Sequence, residues 1–62
     1  MQEITWTNCA DAMPPDEGLF IICGVKFQYI NMLTGRDIHN LLNFRAFKWT
    51  PYTPEKWKEL NK

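Results

Sequence analysis

A small α+β domain is the fold class this sequence predicts: a three-stranded antiparallel sheet, a short C-terminal helix and an extra helical turn in the middle. Three observations carry it. Leu19-Phe20-Ile21-Ile22-Cys23 is an unbroken apolar run rich in β-branched and aromatic residues. Shorter segments on either side alternate polar and apolar residues, the period of a half-buried strand. Thr53-Pro54 is a helix start signal: a hydroxyl to cap the first turn, then a proline where its missing N–H is harmless.

In Glu3–Thr7, Ile4 and Trp6 point one way and Thr5 and Thr7 the other, which predicts a short strand. Ala10–Met13 has room for one helical turn before Pro14-Pro15 forbids helix, and Asp16-Glu17-Gly18 reads as a turn. Apolar side chains on both faces of Leu19–Cys23 predict a central strand covered on both sides. Gly24 interrupts it as a bulge or tight turn. Val25–Ile30 alternates again, with Val25, Phe27 and Tyr29 on one face, and predicts a second strand. After the Thr34-Gly35 turn, Asp37 is in place to cap a short helix whose buried side is Ile38, Leu41 and Leu42; the alternative is an irregular loop leading into a strand Phe44–Trp49. In the C-terminal helix, Tyr52 and Trp57 have the spacing of a hydrophobic staple. Trp57 and Leu60 face the core, and Lys58 and Lys62 face solvent.

No repeat, low-complexity tract or linker is visible, so residues 1–62 read as a single globular domain. Nine aromatic residues, 15% of the chain, supply the core of so short a sequence and exclude a disordered chain. The formal charge is zero, but residues 1–24 carry Glu3, Asp11, Asp16 and Glu17 with no Lys or Arg, whereas residues 25–62 hold all seven basic residues against Asp37, Glu55 and Glu59. The halves are therefore −4 and +4. Met1-Gln2-Glu3 has neither a basic region nor an apolar run. The expectation is a chain that is not exported, a cytoplasmic setting and free thiols at Cys9 and Cys23, the minority reading being a disulfide between them. No apolar stretch approaches the ~20 residues of a membrane helix.

Chemistry-bearing patterns are few. Cys9, Cys23 and His39 are too dispersed for a zinc half-site, and neither cysteine has a sequence signature that brings His39 beside it as a base. Asp16-Glu17 flanks a turn as a solvated pair, and Gly18, Gly24 and Gly35 form no phosphate loop. The residues imply no metal, no cofactor and no enzyme. A binding module remains. Tyr29, Met32, Arg36, Arg45, Lys48 and Tyr52 are its candidate interface residues, of types that interfaces and nucleic-acid grooves favour. An edge strand of the small sheet offers a route to a homo-oligomer. The alternative is a nucleic-acid or nucleotide-sequestering protein built on positions 25–62, where Lys48, Trp49, Tyr52, Lys56, Trp57 and Lys58 interleave charge and rings.

The order of these features resembles a family of short domains of unknown function encoded by tailed phages and prophages. The matching features are the early Trp6, the Asp11-Ala12-Met13-Pro14-Pro15 turn, Gly18, the Leu19–Cys23 strand and the ending Phe47-Lys48-Trp49-Thr50-Pro51-Tyr52-Thr53-Pro54. The family's usual form is a W-I-x-V start, an acidic then L-P turn, a G-x-x-V-L-V strand and a T-H-W-M-P-L-P-x-P end. Here Lys48 replaces the usual His, Phe27-Gln28-Tyr29 stands where Gly-Trp-Tyr is common, and residues 33–46 do not match. The resemblance implies a three-stranded antiparallel sheet and a phage accessory protein that binds a host protein, such as an enzyme or a defence component, and inhibits or modulates it. It transfers no active site.

Overall fold

The computed structural model describes residues 4–61. Their order is β1 (Thr7–Asn8), β2 (Leu19–Gly24), β3 (Ile30–Thr34), α1 (Gly35–His39), a 3₁₀ turn (Phe44–Ala46), β4 (Phe47–Pro51) and α2 (Pro54–Leu60). The architecture is α+β, with a four-stranded antiparallel sheet in the order β1-β4-β2-β3. Four strands form where three were expected: the first, expected over Glu3–Thr7, is the two-residue β1 at Thr7 and Asn8, paired with β4, and β4 is the strand that the sequence left as an alternative at Phe44–Trp49; Glu3 lies outside the described residues.

β2 is the centre of the sheet, as its two-sided apolar pattern predicts. Phe20 pairs with Leu33 on one side and Pro51 on the other, and Ile22 pairs with Asn31 and Trp49. Because side chains alternate across a strand, Phe20, Ile22, Leu33, Phe47 and Trp49 share one face. There they meet Cys9, Met13, Ile38, Leu41 and Phe44 in the main core. The segment after β1 crosses this face, held by the Trp49 indole N–H donating to the Ala12 carbonyl at 2.8 Å. Ile21 and Thr50 point the other way and are also buried. α2 covers that face: the Lys56 ammonium donates to Thr50 Oγ1 at 3.4 Å and to the Pro51 carbonyl at 3.3 Å.

Three boundaries differ from the sequence reading, each for a reason of tertiary geometry. Val25–Tyr29 is not a strand. The Gly24 N–H donates to the Tyr29 carbonyl at 3.1 Å, so the chain reverses there and β3 begins only at Ile30. A Cβ on Gly24 would lie 2.4 Å from the Phe27 carbonyl oxygen, so this reversal needs glycine. Second, α1 is capped by Thr34, whose Oγ1 accepts the Asp37 N–H at 3.2 Å; Asp37 itself sits in the first turn. α1 buries Ile38 and leaves Leu41 half-buried, but Leu42 is fully exposed because the helix ends at His39. Third, Phe44–Ala46 is a 3₁₀ turn, and the strand it leads into starts at Phe47.

α2 follows its sequence signals closely. Thr53 Oγ1 accepts the Lys56 N–H at 3.2 Å and Pro54 opens the helix. Tyr52, Trp57 and Leu60 are half-buried and Lys58 is exposed, whereas Lys62 lies outside the described residues. Thr53→Ala is expected to destabilise the protein by about 1 kcal/mol, read as a lowered midpoint in urea unfolding. An unchanged midpoint would mean that the cap contributes nothing.

Candidate functional site

At the end of the sheet where β2 stops, the Gly24–Tyr29 turn pushes apolar side chains into solvent. Val25 is 40% exposed, Phe27 47% and Tyr29 41%. The turn is braced from both sides: Gly24 is bonded to Tyr29, and the Val25 N–H donates to the Ala46 carbonyl at 3.0 Å. Its rings stand on the buried Phe47. Phe27 and Phe47 meet edge-on at 5.4 Å between centroids, Tyr29 and Phe47 at 5.3 Å, and Phe27 and Tyr29 lie tilted at 6.1 Å. This packing ties the exposed rings to the sheet through Phe47.

Two hollows flank Phe27. One, of about 330 Å³, is lined by Val25, Lys26, Phe27, Arg45 and Ala46. The other, of about 480 Å³, lies between the turn and α2, with Cys23, Tyr29, Ile30 and Leu60 among its walls. Among the described residues, neither hollow has a carboxylate in its wall. The Arg45 guanidinium sits 5.3 Å from the Phe44 ring centroid, which orients it beside the first hollow.

Charge is spread unevenly over the two ends of the sheet, with Arg36 and Lys56 standing among the acidic residues of one of them. Asp16 and Glu17 precede β2 and Asp37 lies in α1, at the end of the sheet where β2 begins and β3 finishes. Lys26 and Arg45 lie at the other end, with the length of β2 between, roughly 17 Å at the rise of an extended strand.

Of the six interface residues read from the sequence, Tyr29 and Arg45 come together at the aromatic turn. Lys48 is near them on β4, opposite Cys23 in register, with its ammonium 5.4 Å from the Trp6 ring centroid. Met32 is half-buried on the β3 edge opposite Ile21. Arg36, on α1, and Tyr52, whose N–H donates to the Leu19 carbonyl at 3.1 Å, belong to the far end. The sequence reading did not single out Val25, Lys26, Phe27 or Ala46. Their signal was present: Gly18–Arg36 contains no Asp or Glu, and neither does Ile38–Pro54.

The β3 edge is partly closed. Gly24 with Tyr29 and Gly35 with Gly18 are hydrogen-bonded pairs, so alternation along the ladder turns the N–H groups of Ile30 and Met32 outward. The Met32 N–H, at the middle of that edge, donates to its neighbour Asn31 Oδ1 at 2.8 Å, and Asn31 Nδ2 donates to the Tyr29 hydroxyl at 3.2 Å. An engaged central donor weakens strand addition by a second copy.

Cys9, Cys23 and His39 are not brought together. Cys9 is buried in the main core, and Cys23 lies on the opposite, α2 face; both are free. Burial raises both thiols above their ordinary range, and the Lys48 charge pulls Cys23 part of the way back. His39 is a clip between α1 and the proline turn. Its Nε2 meets the Pro14 carbonyl oxygen and its Nδ1 lies 3.5 Å from Asp16 Oδ1. Among the described residues no group of three His, Cys, Asp or Glu side chains could hold a metal ion, and no helix is long and apolar enough to cross a membrane.

No family model, curated protein or solved structure matches this chain.

Proposed function

We propose that this protein is a protein-interaction module that docks through the Gly24–Tyr29 turn. One observation carries the reading: Val25, Phe27 and Tyr29 stand out of a braced turn, with the two rings resting on the buried Phe47. Grouped exposed rings that already pack on one another and on the sheet have less freedom to lose on binding, which is the property of an interface anchor. The resemblance to short phage-encoded domains extends this reading to a phage-type accessory protein that inhibits or modulates a host protein in the host cytoplasm.

The surface favours protein over nucleic acid. Phe27, Tyr29 and Phe47 pack against one another rather than standing apart as stacking platforms. Lys26, Arg45 and Lys48 supply three positive charges at this end, fewer than the roughly 6–10 phosphate contacts that carry strong salt-dependent binding.

A photocrosslinking amino acid placed at Lys26, and in a separate variant at Arg36, tests the reading in bacterial lysate. Position 26 is expected to form a discrete protein adduct that disappears in Phe27→Ser, and position 36 is expected to form none. Adducts equal at both ends, or adducts formed only with nucleic acid, would defeat it.

A further inference from the structure

We infer that the occupant of the Gly24–Tyr29 platform is an acidic segment of a partner protein, one that places carboxylates next to an apolar side chain. The inference rests on the docking role proposed above and adds the partner's chemistry.

It begins with the hollow between Val25, Phe27, Ala46 and Arg45. Three of these walls are apolar and the fourth is a guanidinium. An apolar side chain entering the hollow removes the exposed parts of Val25 and Phe27 from water. A neighbouring carboxylate on the same segment then meets Arg45, whose planar fork can bind it through two parallel N–H···O bonds. The Phe44 ring under Arg45 restricts the guanidinium before any partner arrives, which lowers the ordering cost of that contact. Lys26 lines the same hollow and adds a second positive charge.

Among the described residues, no carboxylate lines either hollow. Between Gly18 and Pro54 there is one, Asp37, and it lies in α1 at the far end of the sheet. A basic segment approaching the platform would meet Lys26 and Arg45, with no acidic group among the described residues that line either hollow to receive it. An uncharged apolar segment would cover Phe27 but leave the two cations beside it without a partner. Acidic charge beside an apolar anchor is the chemistry that satisfies both features.

The test uses the ¹⁵N-labelled full chain and three probes. The first is a peptide with a central Leu-Phe pair flanked on each side by three Glu. The second has Lys in place of every Glu, and the third is a twelve-residue oligothymidylate. The acidic peptide is expected to shift the amide resonances of residues 24–29 and 45–48 saturably, with the Lys peptide at least about tenfold weaker. Arg45→Glu should weaken the acidic peptide about tenfold and strengthen the Lys peptide; Phe27→Ser should weaken both. Equal binding of the two peptides, no effect of Arg45→Glu, or no peptide binding would overturn the inference. Tighter binding of the oligothymidylate that collapses with added salt would overturn it in favour of a nucleic acid. If Phe27→Ser abolishes the protein crosslink at position 26 while Arg45→Glu leaves peptide binding unchanged, the docking role stands and the acidic occupant falls.

Discussion

Gly35→Ala is expected to lower the melting temperature by more than about 10 °C, even though alanine is the better helix former by about 1 kcal/mol. Gly35 is buried at the start of α1, and a Cβ there would lie 1.7 Å from the Pro15 carbonyl oxygen and 2.8 Å from the Pro15 carbonyl carbon. The obstructing atoms are backbone, in a segment that Pro14 and Pro15 stiffen, so no side-chain rotation relieves the overlap. Moving the proline turn instead would break the Gly35 N–H bond to the Gly18 carbonyl, 3.2 Å, and the His39 contact with Pro14. Overpacking usually costs about 1–3 kcal/mol and more where backbone must move. A domain of this size has a total stability on the order of 3–9 kcal/mol, so the loss is a large share of it. Thermal unfolding followed by circular dichroism reads the result, and a shift under about 3 °C would refute the close packing of Gly35 on Pro15.

Ile38→Ala and Leu42→Ala should separate sharply, although the sequence places both on one helix face. Ile38 has no exposed surface and sits in the main core, so its truncation is expected to cost about 2–5 kcal/mol in transfer and cavity terms. Leu42 is 101% exposed, and its truncation is expected to change stability by less than about 0.5 kcal/mol. Urea unfolding of the two variants measures the difference. Equal losses would mean that the helix continues past His39 and buries both residues.

These contrasts show how legible the chain was. β2 and α2 were readable because their signals are local: an unbroken apolar run for one, a hydroxyl cap and a following proline for the other. The middle was not. Gly24 was legible as a bulge or tight turn, but Val25, Phe27 and Tyr29 have the period of a strand, and nothing nearby records that the turn runs on until Gly24 hydrogen-bonds Tyr29. The α1 cap fell on Thr34 rather than Asp37 because β3 ends there and delivers its last residue in an extended conformation to the helix start. Of the candidate interface residues, Tyr29 and Arg45 met at the platform, while Arg36 and Tyr52 went to the opposite end.

The sequence by itself determined the α+β class, the buried central strand, the capped C-terminal helix and the separation of charge along the chain. These follow from side-chain period, proline and hydroxyl chemistry, and composition, which neighbouring residues express without help from distant ones. Only the tertiary structure decided which aromatic rings were spent on the core and which were left in water. Phe20, Phe47 and Trp49 are drawn onto the sheet by their strand register, whereas Phe27 and Tyr29 sit in a reversal that lifts them beyond it. That choice depends on pairing between residues far apart in the chain, because a ring is buried only when a partner strand or helix arrives to cover it.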